Sequence, residues 1–273
     1  MCRWLAYSGA PIRLDEVLFK TDHSLIDQSR HASDPLSTTN GDGFGIGWYG
    51  TSDVPGVYKD IRPAWNDANL QALAAQIESS MFLAHVRATT GSPVQRTNCH
   101  PFSHQKWLFV HNGLINNYTK LHRELAFAIS PDLFPLIEGT TDSELMFLLS
   151  LSVGMENDVK SGVARMAGLV EHIAKSHEVD NALQMTLGIS DGESLSAVRY
   201  STEGSSRSLF YSAIRDATKE IAPEAGRFSR NARAIVSEPL DHLAAEWVAV
   251  PEASFLTIKG GHISSESFEP IAP

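Results

Sequence analysis

Two groups of strand-like runs, one on either side of three helix-patterned segments, constrain this chain more than any other feature. The first group holds Cys2 to Tyr7, a glycine-rich run within Gly41 to Tyr49, Val57 to Ile61, Met81 to Ala88 and Trp107 to His111. The second occupies 182–189, 194–200, 207–212, 232–236, 246–250 and 254–259. Between them, apolar residues recurring at helical spacing predict helices over roughly 116–129, 142–153 and 158–177. Shorter helices are expected at Leu14 to Lys20, behind Pro11, and from Asp67 through Ser79. Asp67 caps the latter, and Leu70, Leu73, Ala74 and Ile77 share one face. Strands grouped at both ends, rather than alternating with helices, indicate an α+β chain of two sheets sandwiched by helical layers. No composition shift marks a linker, so 1–273 reads as one domain.

Within this frame the glycines of Gly41-Asp42-Gly43-Phe44-Gly45-Ile46-Gly47 recur every second residue. A dinucleotide fingerprint would need G-x-G-x-x-G between a strand and a helix, whereas position 46 is Ile and the chain runs on as strand. Alternating glycine in a strand marks a place where another backbone or a ligand comes very close.

The chain begins Met1-Cys2-Arg3. Initiator methionine is generally removed before a small second residue, which would leave Cys2 with its thiol and a free α-amine on one carbon. The amine titrates at about 7.7–8.0 and a thiol at about 8.5, so near neutral pH the amine can take the thiol proton. One residue then supplies both nucleophile and base.

Other residues suit an amino-acid ligand. Met81 to Ala88 alternates so that His85 and Arg87 share a side opposite Ala84, Val86 and Ala88. A guanidinium such as Arg87 grips a carboxylate through two parallel hydrogen bonds. Asp142, in Gly139-Thr140-Thr141-Asp142-Ser143-Glu144, reads as a helix N-cap or as a carboxylate for a ligand ammonium. Asn112-Gly113 reads as a tight hairpin turn, or as an oxyanion hole made of a side-chain amide and a backbone N–H. His85, His100, His104 and His111 lie close together, yet no H-E-x-x-H or C-x-x-C spacing is present, and packing roles are expected without a metal.

Four blocks in order, Met1-Cys2-Arg3, Ala84-His85-Val86-Arg87 with Gly91, Val110-His111-Asn112-Gly113 and Thr141-Asp142-Ser143-Glu144, resemble the class-II glutamine amidotransferases. Asn98-Cys99-His100-Pro101 is similar to a fifth, and Val236-Ser237-Glu238-Pro239-Leu240 to a later segment of the family. The resemblance implies an N-terminal-nucleophile hydrolase fold with four layers, αββα. It implies that Cys2 attacks the side-chain amide of glutamine, forms a thioester and releases ammonia, and that water then yields glutamate. It further implies oxyanion binding by Asn112 and Gly113, α-carboxylate binding by Arg87 and α-ammonium binding by Asp142, with no cofactor. The segment Arg87-Ala88-Thr89-Thr90-Gly91 is one residue shorter than its counterpart in the large synthases and lacks the aromatic that often follows the arginine there.

Those synthases continue into an acceptor domain, for which 273 residues leave no room, so a stand-alone glutaminase is expected, similar to the ergothioneine-pathway γ-glutamyl amidase. Two alternatives stand beside it: a γ-glutamyl amidase acting on a larger adduct, and a non-catalytic glutaminase-like subunit of a synthase. The expected partners are a small-molecule substrate, with room for an ammonia-accepting synthase or a homo-oligomer. A net charge of −10 argues against nucleic acid. No apolar run of about 18 residues and no secretory signal is read, which points to the cytoplasm. Cys2 and Cys99 form no disulfide framework.

Overall fold

The apolar run that follows Cys2 becomes strand β1 (Arg3–Arg13), which passes through a register shift between Ser8 and Ile12 and so outlasts the expected end at Tyr7. Its side chains alternate between two interiors. Leu5 and Tyr7 join one apolar cluster, while Trp4 and Ala6 join another. The computed structural model describes residues 2–31, 39–89, 91–213, 231–241 and 246–273. Met1, Thr90 and residues 32–38, part of a stretch over 21–40 whose sequence is polar and turn-rich, lie outside the described residues.

After α1 (Asp15–Leu18) and α2 (Leu25–Arg30) come β2 (Phe44–Trp48), β3 (Gly56–Asp60), α3 (Ala68–Ala74) and β4 (Glu78–Val86). The helix α2 falls in a stretch that reads as polar turn; Ser24 caps it and only Leu25 and Ile26 supply apolar burial. Asp67 does cap α3, accepting from the Leu70 N–H at 2.6 Å. That helix stops at Ala74, and Glu78 and Ser79 already belong to β4, where they pair with Arg13 and Ile12.

The chain then forms β5 (Phe102–His104), β6 (Trp107–Ile115), α4 (Tyr118–Phe127), α5 (Asp142–Ser152) and α6 (Val159–Ser176). It closes with β7 (Leu183–Ser190), β8 (Leu195–Ser201), β9 (Phe210–Ser212), β10 (Arg233–Val236), β11 (Trp247–Ala249), β12 (Ser254–Lys259) and β13 (His262–Ser267). The described strands make two antiparallel sheets, ordered β11-β9-β10-β1-β4-β2-β3 and β13-β12-β8-β7-β6-β5. Strand β13, His-Ile-Ser-Ser-Glu-Ser, is mostly exposed at an edge and carries no apolar alternation by which to recognise it.

Helices α1 to α3 cover the first sheet through Val17, Leu18, Leu25 and Leu70. Helices α4 to α6 cover the second through Leu121, Leu145, Leu149, Met166 and Val170. Between the sheets lie Trp4, Leu83, Leu108, Val110, Leu195 and Leu256, all buried. The order of layers is therefore helix, sheet, sheet, helix. Helix α5 is buried from Ser143 to Leu151, as expected of a helix apolar nearly all round. Each fully buried Leu or Phe of this kind contributes about 1.5–3 kcal/mol relative to exposure.

The alternating glycines of β2 explain how closely the layers meet. A Cβ on Gly45 would collide with the His100 carbonyl, and one on Gly47 would come within 3 Å of Leu108 and Pro101 side-chain atoms. The close approach expected there is that of the 100–101 backbone.

Asn112-Gly113 is not a hairpin turn. Both residues sit inside β6, paired with Thr186 and Met185, and the chain reverses only after Ile115, where Asn117 takes a left-handed φ of 52°. A type I′ turn needs left-handed backbone at both residues, which an unbroken ladder excludes.

Candidate active site

Cys2 stands at the start of β1, half-buried, with its Sγ 3.6 Å from the Ala88 carbonyl oxygen. Its position is fixed by what holds its neighbours. The Arg3 guanidinium meets Glu238 at 2.5 Å and donates to the Cys2 carbonyl at 2.9 Å. The Trp4 N–H donates to Ser237 Oγ and the Ser237 N–H to the Trp4 carbonyl, both at 3.0 Å. Thus the Val236–Leu240 segment clamps the beginning of the chain. Burial pushes the Cys2 thiol up, while the nearby Arg87 guanidinium pulls in the opposite direction.

Arg87 follows the end of β4, where the strand gives way to a loop, and it is 3% exposed. Its guanidinium donates to Ser92 Oγ at 2.6 Å, to the Asp42 carbonyl at 3.3 Å and to Thr89 Oγ1 at 3.4 Å. Asp42 spends its carboxylate on the Thr89 N–H, at 2.8 Å. No described carboxylate forms an ion pair with Arg87. A buried cation bonded only to neutral groups is unfavourable alone and suits an incoming anion.

Gly113 and Asn112 reach the same place from β6. A Cβ on Gly113 would collide with the Gln184 carbonyl across the ladder, so a glycine is required by space. Asn112 is 4% exposed, and its side-chain amide forms no hydrogen bond with a described residue. Its backbone is held from the other sheet: Trp4 Nε1 donates to Thr186 Oγ1 at 3.1 Å, and Thr186 Oγ1 donates to the Asn112 carbonyl at 3.2 Å.

Asp142 is the first residue of α5 rather than its cap. Thr141 caps the helix, accepting from the Glu144 N–H at 3.2 Å. This frees Asp142 to turn toward β6, where Oδ2 accepts from the Ile115 N–H at 2.8 Å and Oδ1 from the Ser143 N–H at 2.7 Å. Glu144 accepts from the Gly139 and Glu138 N–H groups, and Asn98 Oδ1 accepts from the Thr140 N–H at 2.8 Å. The Asn98-Cys99-His100-Pro101 block therefore shapes the loop that delivers Asp142. Cys99 itself is buried, with its thiol against the Asp60 and Gln95 carbonyls.

The histidines pack. His85 stacks on His100 with ring centroids 4.1 Å apart, and His85 Nε2 lies 3.2 Å from the His111 carbonyl. His111 Nδ1 lies 2.7 Å from Ser143 Oγ. Burial pushes all three below the usual histidine range, His85 to about 3, so all are neutral at pH 7. Among the described residues no group of three or more His, Cys, Asp or Glu side chains could hold a metal ion.

Cys2, Arg87, Asn112, Gly113 and Asp142 line one pocket, together with Thr89, Ser92, His111, Ser143 and Arg207. Arg207 was not among the residues singled out in the sequence. Arg207 opens the run 207–212 expected as strand; in the structure that strand begins at Phe210, and Arg207 lies in the motif-free loop Glu203-Gly204-Ser205-Ser206-Arg207-Ser208 that only the fold brings here.

Two face-to-face antiparallel sheets between helical layers, with a cysteine at the head of a central strand, define an α+β protein of the N-terminal-nucleophile type. Solved relatives share this fold. A glutamine aminotransferase class-II domain protein from Silicibacter pomeroyi is 30% identical, covers 99% of this chain and all of its own, and superposes with a TM-score of 0.77. The glutamine phosphoribosylpyrophosphate amidotransferase of B. subtilis, at 15% identity, matches 99% of this chain over half of its own length with a TM-score of 0.68. The family profile of the class-II glutamine amidotransferases matches residues 25–272, and the chain belongs to that family. It is accordingly an amidohydrolase or amidotransferase. A probable glutamine amidotransferase of Saccharomyces cerevisiae, DUG3, is 34% identical over 95% of this chain and 82% of its own. The γ-glutamyl-hercynylcysteine sulfoxide hydrolase of Mycolicibacterium smegmatis is 32% identical over 57% of this chain and 65% of its own. No described helix is long and apolar enough to cross a membrane.

Proposed function

We propose that this protein is a glutaminase that hydrolyses the γ-amide of glutamine through a Cys2 thioester. The observation that carries the reading is the pocket itself, in which Cys2, Arg87, Asn112, Gly113 and Asp142 converge from four separate stretches of chain. The Cys2 sulfur attacks the amide carbon, and its proton passes through the α-amine of Cys2, freed by removal of Met1. The C–N bond then breaks as that proton reaches the departing nitrogen, giving ammonia and a thioester. Water attacks the thioester, returns the thiol and releases glutamate. Asn112 and the Gly113 N–H bind the developing oxyanion, where one such donor is worth about 2.7–4 kcal/mol. Arg87 takes the α-carboxylate and Asp142 the α-ammonium, and a ligand lacking either leaves a buried charge unmatched.

Burial lowers the proton affinity of His85, His100 and His111, which makes them weak bases and supports a base other than imidazole. The interior shared by both sheets supports one glutamine amidotransferase domain over 1–273. Action in the cytoplasm belongs to the same proposal, and the thioester chemistry calls for no cofactor. An ammonia-accepting synthase and self-association are compatible with this chemistry.

Incubation with glutamine, with glutamate and ammonia measured, tests the activity, and intact-mass analysis tests for the freed Cys2 amine. Cys2→Ala is expected to remain folded and to lose turnover by about 10³-fold or more. A glutamine-like electrophile should label Cys2; a label on Cys99, or undiminished turnover in Cys2→Ala, removes the thioester.

A further inference from the structure

The Cys2 pocket holds about 80 Å³, and a cavity of about 660 Å³ adjoins it. Asn112 and Arg207 line both. A group carried on the amide nitrogen of a ligand held at Asn112 therefore has the larger space within reach across that shared wall. Ammonia needs none of that volume.

The wall of the larger cavity is built rather than incidental. Ser206, beside Arg207, donates its Oγ to Glu252 at 2.5 Å and accepts from Arg199 Nε at 3.1 Å. The Ser205 N–H donates to Ser201 Oγ at 2.7 Å, and the Ser205 carbonyl accepts from Gln184 Nε2 at 2.9 Å. Gln184 is the ladder partner of Leu114, so the Arg207 loop is tied to the strand that carries Asn112 and Gly113.

The carboxylates lining this cavity are already engaged. Glu238 meets Arg3 and His23, Asp241 accepts from Trp247 Nε1, and Glu203 accepts from Asn181. Arg207 has no hydrogen bond or ion pair with a described residue. A half-buried guanidinium without a partner among the described residues, on a braced loop that lines both cavities, suits an anionic group on the ligand.

We infer that the larger cavity seats the departing amine of a γ-glutamyl amide, that this amine bears a carboxylate, and that Arg207 binds it. Beside glutamine, the site then takes γ-glutamyl amino acids and short γ-glutamyl peptides, an inference that rests on the Cys2 thioester reading above.

The test compares kcat/KM for γ-glutamylglycine and γ-glutamylethylamide, which differ at the carboxylate, in the unaltered protein and in Arg207→Gln. The unaltered protein is expected to prefer γ-glutamylglycine by about tenfold or more, and Arg207→Gln to bring the ratio to within about threefold, with Arg207→Lys between them. A ratio near one in the unaltered protein, or one that survives Arg207→Gln, overturns the assignment. Calorimetric binding of both amides to Cys2→Ala, with and without Arg207→Gln, separates the two claims. Absence of hydrolysis of every amide removes the thioester chemistry, whereas equal affinity for both amides removes the Arg207 site.

Discussion

Arg3 and Glu238 meet at 2.5 Å with both side chains nearly sealed from solvent, joining the residue after Cys2 to one 235 positions later. Ser237 adds two further bonds to the Trp4 backbone, one through its hydroxyl and one through its N–H, so the head of β1 is held by side chain and main chain together. The nucleophile candidate is thus placed by the second group of strands as much as by its own.

Removing one partner of this buried pair leaves a charge without a counterpart. Glu238→Ala is expected to lower unfolding free energy by about 3–5 kcal/mol, and Arg3→Met combined with Glu238→Leu to restore most of it. Urea unfolding of the three proteins measures both effects. Equal losses in the single and double variants would show that the pair does not behave as a unit.

Arg87 is expected to act on substrate affinity. Arg87→Lys keeps the charge but loses the fork, and a charged hydrogen bond is worth about 1.5–3 kcal/mol, so KM for glutamine should rise roughly 10–100-fold with a smaller change in kcat. Steady-state kinetics decides, and an unaltered KM would detach Arg87 from the substrate.

Gly45 and Gly50 form a matched pair of sites. A methyl at Gly45 strikes the His100 carbonyl, whereas one at Gly50 meets nothing within 4 Å. Gly45→Ala should destabilise by about 1–3 kcal/mol, as overpacking does, and Gly50→Ala by less than about 0.5 kcal/mol. Similar melting temperatures for the two variants would contradict the close approach of β2 to the 100–101 backbone.

Acid should weaken the fold through the histidines. Burial holds His85, His100 and His111 neutral in the folded protein, while the unfolded chain protonates them near its ordinary value of about 6.5. The unfolded state then binds more protons below that pH. Their contribution is complete above about 6.5 and lost as pH falls toward the folded value, about 3 for His85. Each such histidine steepens the loss by up to about 1.4 kcal/mol per pH unit. Both ring nitrogens of His100 are buried with no hydrogen-bond partner among the described residues, so His100→Phe forfeits no hydrogen bond. Its plot of stability against pH between 6 and 4.5 should be shallower than that of the unaltered protein; parallel plots would mean that His100 is protonated equally in both states.

The two sheets and the three long helices were legible because their apolar periodicities span whole elements. Edges were less so: β13 has no buried face, and α2 has too few apolar residues to announce itself. Asn112-Gly113 misled because the dipeptide suits a turn, and only its pairing with β7 shows a continuing strand. The cap reading of Asp142, held beside that of a ligand carboxylate, fails because local sequence cannot distinguish it from Thr141, one residue earlier. The pocket residues were visible as blocks in order, but Arg207 was not, since it stands at the edge of a strand-like run in a serine-rich stretch that carries no motif.

The Trp4–Thr186–Asn112 chain of hydrogen bonds crosses from one sheet to the other beneath the pocket. The distance between the cysteine strand and the asparagine strand is consequently gauged from inside the protein. Surface connections could be lengthened, shortened or exchanged between relatives while that internal spacer kept sulfur and amide in step.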